Sequence, residues 1–377
     1  MKTVNANFFE LKGTNYKIGQ QLGYMVLNNP YLKEIFLSSS KTISENYKYI
    51  YELFDKYCPG LNEELQGFAD ILGVEKSRLI FVPLTYLAPA CSQIIILPAK
   101  TKNHHTILAR NYDYSDQMDD FCLSKTTVTG KYSHIGSNII QFGRGEGMNE
   151  CGLAVSQSAC GRPVNNYQAG KTPKVVGLQF WAVVRTLLEN CKNVKEALST
   201  VSDMPIACNI NLMVADKSGE AALIEIMDGR KEVKLIQENM KVDYLIATNH
   251  IHISNMVSIE PYAMKNSVIR YRCLKQWITQ NSDIDEKKIK ELLLTPYPNG
   301  LMLPFYEDRF GTIKSIVFNL TLGKADICWG GLKANKWHSF DIDDNLENKT
   351  CLQNIKNQSM IKDFFDTEPI EGQKDLF

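Results

Sequence analysis

The chain predicts an α+β fold: a four-layer αββα sandwich of two antiparallel sheets, preceded by a helical segment. Three observations predict it. Helical periodicity dominates residues 1–90, β-rich runs take over from Cys91, and those runs are joined mainly as hairpins. From Cys91 onward the order is strands, two helices, strands, two helices, strands. Hairpin-joined strands are antiparallel, and the regular βα alternation of a doubly wound sheet is missing. Two such sheets with a helical layer on each outer side accommodate this order.

Taken in order, Tyr47, Ile50, Leu53, Phe54 and Tyr57 recur at helical spacing until Pro59-Gly60. Leu61, Leu65, Phe68, Ala69 and Leu72 form a second amphipathic stretch, stopped by Gly73. Strands are expected at Ser92–Leu97 and Thr106–Tyr112, flanking the polar stretch Lys100–His105, and then at Thr126–Thr129, Asn138–Phe142 and Gly152–Ser156. Helices are expected at Leu178–Leu188 and Val194–Val201. Asn211–Ala215 and Ala221–Ile226 make a hairpin turned by Asp216-Lys217-Ser218-Gly219, and Tyr244–Thr248 is a further strand. Helices recur at Ser267–Ile278 and Glu286–Leu294. A last hairpin joins Thr312–Asn319 to Ala325–Trp329, with Gly323 in the turn. The tail from Phe340 is polar and is expected on the surface. The division is therefore residues 1–90, a helical segment; 91–340, the sandwich; and 341–377, the tail.

Composition narrows the function classes. The 377 residues carry 42 Lys+Arg against 42 Asp+Glu, so no basic excess exists to displace counterions from a nucleic acid. The start, MKTVNANFFELKG, has no apolar core of a secretory leader, and Gln93–Pro98 is too short to span a membrane. Ten cysteines occur without a CxxC pair, which argues against a zinc ribbon or a thioredoxin-like motif. The expectation is a cytoplasmic protein with reduced thiols, no nucleic-acid or membrane partner and no cofactor; homo-oligomer formation is left open.

The hairpin around residue 102 gathers chemistry. With its turn centred between Lys102 and Asn103, Cys91 faces Tyr114 and neighbours Asp113, with Arg110 on the same strand. An arginine beside a thiol favours the nucleophilic thiolate. A carboxylate can orient an amine or another proton carrier. Arg110 and Asp113 point to opposite faces of a regular strand, so a bulge or the strand end must intervene. On spacing alone, a surface ion pair at a hairpin end describes these residues as well.

Ala90-Cys91-Ser92 and Leu108-Ala109-Arg110-Asn111-Tyr112-Asp113-Tyr114 resemble the nucleophile strand and RNxD strand of the choloylglycine hydrolase and acyl-CoA:6-aminopenicillanic acid acyltransferase families, which are N-terminal nucleophile hydrolases. Gly147-Met148-Asn149-Glu150-Cys151-Gly152-Leu153 is similar to their GxNExGL turn, and Ala182–Leu198 resembles their helix pair. Ala247-Thr248-Asn249-His250 is similar to their TNxx strand end, and Ser267-Val268-Ile269-Arg270 to a helix start. Five motifs in the same order, over residues 91 to 335, make the resemblance specific. Phe9-Glu10-Leu11-Lys12-Gly13, Gln20-Gln21-Leu22-Gly23 and the length before Cys91 resemble the acyltransferase-like branch, whose members carry a helical pro-segment.

The resemblance implies self-cleavage between Ala90 and Cys91, which frees the α-amino group of Cys91 as a base for its own thiol. It implies Asp113 as the holder of that amine, Arg110 as support for the nucleophile, Asn249 as oxyanion donor and Arg270 as the helix arginine. It also implies a small acyl amide or acyl-CoA as substrate. Two positions depart from the pattern. Ala159 stands where the bile-salt members carry an Asn, and a strict match puts Val268, not Arg270, at the helix position.

Other readings are open. A papain-like site would use His250 beside Asn249, and His250 with His252 could form half of a metal site. His104-His105 reads as a solvated turn. Gly143-Arg144-Gly145-Glu146-Gly147 lacks the features of a phosphate cradle and reads as a mobile loop near the site. Pocket walls are expected from the loops Asp116–Cys122 and Gly161–Gly170. The non-enzyme alternative is an unprocessed, inactive binding protein of the same fold.

Overall fold

The computed structural model describes residues 1–29, 32–34, 47–79, 91–139, 142–161, 174–236 and 242–370. The chain starts as a strand, β1 (Lys2–Gly13), within the stretch expected to be helical. Ala6, Phe8 and Leu11 on it are fully buried. Three helices follow: α1 (Asn15–Leu27), α2 (Tyr47–Tyr57) and α3 (Leu61–Leu72). Thr14 caps α1 through the Lys17 amide, and Gly73 ends α3 in the left-handed conformation at φ 67°.

β2 (Ser92–Ile96) and β3 (Ile107–Tyr114) form the hairpin that follows Cys91. Ser92 pairs with Asn111 and Gln93 with Arg110, so Cys91 is level with Tyr112, not Tyr114. The correction comes from the turn. Pro98–Lys100 winds into a tight 3₁₀ turn and Thr101 bridges to Ile284, which moves the hairpin centre toward β2. The parity is unchanged, so Cys91 keeps its expected face.

Four strands follow: β4 (Cys122–Val128), β5 (His134–Ile139), β6 (Phe142–Asn149) and β7 (Leu153–Ala159). The single strand expected at residues 138–142 straddles the ends of β5 and β6. The Gly-rich run expected as a mobile loop lies inside β6 and is buried. Its glycines are there for close approach: a Cβ on Gly147 would sit 2.7 Å from Leu188 Cδ1 and 2.8 Å from the Ile135 carbonyl oxygen. Without side chains there, β5, β6 and the next helix close on one another.

Helices α4 (Phe180–Asn190) and α5 (Val194–Ser202) lead into β8 (Ile210–Asp216), β9 (Ala221–Met227), β10 (Arg230–Ile236) and β11 (Tyr244–Ala247). β12 (Tyr262–Met264) runs into α6 (Lys265–Gln280) and α7 (Glu286–Leu293). The chain ends in β13 (Gly311–Asn319), β14 (Lys324–Trp329), β15 (His338–Asp341), β16 (Lys349–Ile355) and β17 (Thr367–Pro369).

One sheet has nine strands in the order β10-β9-β8-β7-β6-β5-β4-β1-β16, and the other has six in the order β11-β2-β3-β13-β14-β15. Every neighbouring pair in them is antiparallel except β1 with β4. The tail expected on the surface supplies β16, which pairs with β1. The bare edge of β1 would otherwise present unpaired backbone groups. Helices α6 and α7 pack on the outer face of the six-stranded sheet, where Leu274, Ile278, Ile289 and Leu293 meet Ile94, Ile96 and Ile107. On the outer side of the other sheet, α4 packs against β6, and α3 joins it through the Phe68–Phe142 ring contact at 5.6 Å. The layers are thus α, β, β, α. Between the sheets, Gln93 donates to Ser158 Oγ at 3.1 Å and to the Asn211 carbonyl at 2.9 Å, fixing β2 against β7 and β8. No helix among the described residues is long and apolar enough to cross a membrane.

Candidate active site

Cys91 stands immediately before β2 and is buried, 6% exposed. Ala90, on the other side of the expected cleavage bond, lies outside the described residues. The first group on Cys91 comes from β3. Arg110 is fully buried between the sheets, and its Nη2 donates toward Cys91 Sγ at 3.4 Å. Its Nη1 donates to the Gly145 carbonyl at 3.2 Å and to the Glu146 carboxylate. Glu146 comes from β6 in the opposite sheet. It also accepts from Ser137 Oγ and lies 3.8 Å from Lys314 Nζ. Arg110, Glu146 and Lys314 are all completely buried. A buried cation aimed at a thiol is thus held by a buried carboxylate across the sandwich.

Asp113 lies on the opposite face of β3 from Arg110, as strand geometry requires. The expected irregularity is present, but in the partner strand. Thr312 pairs with Asp113 and Lys314 with Tyr112, leaving Ile313 as an extra residue in β13. That bulge puts Thr312 on the Asp113 face and Lys314 on the Arg110 face. Thr312 Oγ1 donates to Asp113 Oδ1 at 2.5 Å, while Asp113 Oδ2 has no hydrogen-bond partner among the described residues. Burial pushes the Asp113 carboxyl up to about 7, against the opposing pull of the Arg270 charge, the Thr312 bond and the Arg110 charge.

Arg270, two residues beyond the strict motif position, also reaches Cys91, at its carbonyl. Its Nη1 donates to the Cys91 carbonyl at 2.6 Å and to Ser92 Oγ at 2.8 Å. Its Nη2 donates to Asn249 Oδ1 at 2.9 Å and to Asn266 Oδ1 at 2.6 Å. The Asn249 carboxamide is thereby oriented, with Nδ2 donating to the Ala159 carbonyl at 2.8 Å and one N–H without an acceptor among the described residues. Ala159 thus contributes a backbone acceptor where a side-chain donor was absent. The Asn249 amide donates to Ser267 Oγ at 2.7 Å, which fixes its backbone to the start of α6.

His250 and His252 bond to Ser267 and Thr248 rather than to Cys91. His250 Nδ1 lies 2.8 Å from Ser267 Oγ and 3.2 Å from Thr248 Oγ1, and burial pulls its pKa down to about 3. His252 Nε2 accepts from the Thr248 amide at 3.1 Å, and its ring stacks on Tyr271. A papain-like role for His250 is therefore replaced by a packing role beside Asn249. No group of three or more His, Cys, Asp and Glu gathers at metal-binding spacing among the described residues. His104 is exposed and sits in the turn, with Nδ1 3.2 Å from the Pro98 carbonyl.

A model of the acyl-coenzyme A:6-aminopenicillanic acid acyl-transferase family matches residues 99–334. The chain belongs to this family. No curated protein matches it. Among solved structures, it is similar to penicillin V acylase from Agrobacterium tumefaciens, with 15% identity, 63% of this chain and 83% of that one covered, and a TM-score of 0.42. It is also similar to a mutant of conjugated bile acid hydrolase from Clostridium perfringens, with 14% identity, 72% and 99% covered, and a TM-score of 0.47. An N-acylethanolamine-hydrolyzing acid amidase ortholog from Caenorhabditis elegans gives 19% identity, 62% and 94% covered, and a TM-score of 0.42.

Within this acyl-transferase family chain, the five expected residues Cys91, Arg110, Asp113, Asn249 and Arg270 are linked through short contacts or shared neighbours. Sequence reasoning missed Glu146, Thr312 and Asn266. Thr312 carries no signal of its own, because it acts through a contact distant in sequence, and Asn266, four residues before Arg270, lies just ahead of the helix expected from Ser267. Glu146 does carry one: charged residues alternating with glycines fit a buried strand, whose acidic member needs an internal partner.

Proposed function

We propose that the protein is a self-processed cysteine enzyme that cleaves a small linear amide, or transfers its acyl group, through an acyl-cysteine intermediate. The observation that carries this is the convergence on Cys91: Arg110 at its sulfur, and Arg270 joining its carbonyl to Asn249. In processing, the Cys91 thiol attacks the Ala90 carbonyl, the peptide C–N bond breaks as the thioester C–S bond forms, and water releases the acyl segment. The α-amino group of Cys91 is then free. With an ordinary pKa of about 7.7–8.0, such an amine serves as a base near neutrality.

In turnover, that amine takes the thiol proton and the thiolate attacks the substrate carbonyl. Asn249 gives its remaining N–H to the tetrahedral oxyanion. The α-ammonium returns its proton to the leaving amine, leaving the acyl group on sulfur. Water, or a second amine, then attacks with the α-amine again as base. Asp113 Oδ2, buried without a partner among the described residues, is the acceptor that the charged α-amine needs. Family membership supports an acyl donor as substrate and brings in acyl-CoA as the alternative to a small acyl amide.

Trapping tests the proposal. Rapid acid quench during turnover of a panel of N-acyl amides and acyl-CoA should give an acyl mass increment on the peptide that begins at Cys91. Cys91→Ala should abolish both increment and turnover. Turnover that survives Cys91→Ala would reject the reading. Supplying acyl-CoA with and without an amine acceptor separates transfer from hydrolysis.

A further inference from the structure

Residues 356–370 follow the last strand of the large sheet and lie outside the span of the family match. They run back over the two segments that hold Asp113 and Arg270. Gln358 N–H donates to the Pro304 carbonyl at 3.0 Å, and Met360 N–H to Asp308 Oδ2 at 2.6 Å. Further on, the Lys265 amide donates to the Asp366 carbonyl at 2.7 Å, and β17 pairs with β12 at the entry to α6. The segment is a strap closed at both ends.

Between these anchors sits Phe364, 3% exposed in an otherwise exposed stretch. Its carbonyl accepts from Asn266 Nδ2 at 2.7 Å. The other end of that carboxamide, Oδ1, accepts from Arg270 at 2.6 Å. One carboxamide thus joins the strap to the arginine on Cys91 and Asn249. The Phe364 ring packs with Leu303, Phe305 and Phe310, with its centroid 5.2 Å from that of Phe305. Leu303 in turn exchanges two bonds with Thr312: the Thr312 amide donates to the Leu303 carbonyl and the Leu303 amide to Thr312 Oγ1, each at 2.8 Å. With its acceptor lone pair so used, Thr312 Oγ1 turns its proton to Asp113.

We propose that Phe364 is a positioning residue that sets both sides of the site: its carbonyl holds Arg270 through Asn266, and its ring holds Thr312, and so Asp113, through Leu303. The inference rests on the reading of Cys91 as nucleophile. Neither group touches substrate. The strap keeps water from the Thr312–Asp113 contact and keeps the Arg270 guanidinium at one rotation.

The test uses the full chain and four variants. Phe364→Ala removes the ring, Phe364→Leu keeps an apolar filler, Asn266→Asp keeps an acceptor for Arg270 but loses the donor to the Phe364 carbonyl, and exposed Lys362→Ala is the control. Two readouts are taken: kcat and KM on an amide the wild type turns over, and the pH profile of Cys91 alkylation by iodoacetamide, located by peptide mass, which needs no substrate. Phe364→Ala and Asn266→Asp are expected to lower kcat about tenfold or more with KM within about twofold, since a displacement of about 1 Å suffices. Phe364→Ala should also move the alkylation midpoint to higher pH, because water at Asp113 lets its carboxylate ionise and a nearby anion disfavours the thiolate. Phe364→Leu should recover most of both effects, and Lys362→Ala should match wild type. Folded Phe364→Ala and Asn266→Asp proteins with wild-type kcat and alkylation profiles would overturn the strap alone. A wild type whose activity survives full alkylation of Cys91 would overturn the site reading and the strap with it.

Discussion

Replacing Glu146 by Gln should separate the charge that holds Arg110 from the shape that surrounds it. Gln keeps the size and an acceptor for Ser137, but removes the anion that Arg110 and Lys314 share, leaving Lys314 to the Asp119 and Asp120 carboxylates. At 3.8 Å and an effective dielectric constant of 20, the Lys314–Glu146 attraction alone is about 4 kcal/mol. Breaking a buried pair by removing one partner costs about 3–5 kcal/mol, because the other charge stays desolvated. Glu146→Gln should therefore lose about 3–5 kcal/mol in urea unfolding at neutral pH. Adding Lys314→Met removes one of the two cations that share Glu146, so the two single losses should not add, giving a coupling energy of at least about 1 kcal/mol in the double-mutant cycle. The assay is the urea midpoint and slope of wild type, both singles and the double. A Glu146→Gln loss below about 1 kcal/mol, the range of exposed ion pairs, would refute the reasoning.

Two further outcomes follow from the same geometry. Asp113 is raised from an ordinary 3.8 to about 7 in the folded chain, so the fold binds its proton more tightly than the unfolded chain does. Its contribution to stability is full below about 3.8 and is lost as pH rises through about 7. In the Cys91→Ala chain, the urea midpoint should fall over that window, and adding Asp113→Asn should flatten the fall; a parallel fall in both proteins would contradict it. Asn249→Ala should lower kcat about 10²–10³-fold with KM little changed, as for a lost oxyanion donor. Steady-state kinetics decide this, and a change confined to KM would remove Asn249 from that role.

Local chemistry was legible in the sequence wherever it was written in consecutive residues. The hairpins 211–226 and 312–329 carry period-two patterning and a glycine turn, and both formed. The pair Arg110 and Asp113 was readable from one strand, including its conflict of faces. The bulge that resolves the conflict was not, because it lies in β13, some two hundred residues away. Strands β1 and β16 were missed for a related reason. Each is defined by pairing with the opposite end of the chain rather than by its own propensity. The hairpin register slipped because Pro98–Lys100 folds as a 3₁₀ turn, a conformation that residue counting does not contain. Arg270 was found only by tolerating a two-residue slip. Its hydrogen bonds to Cys91, Asn249 and Asn266 supply a physical reason for that slip, since the helix start is held by β12 and β17.

The central claim is that Cys91 becomes an N-terminal nucleophile by cutting its own bond to Ala90. Intact mass under denaturing conditions, on wild type and Cys91→Ala purified side by side, tests it most directly. The wild type should give two chains, one ending at Ala90 and one beginning at Cys91, and Cys91→Ala a single uncut chain. A wild-type chain that stays whole after prolonged incubation at neutral pH, or a Cys91→Ala chain cut at the same bond, would contradict it.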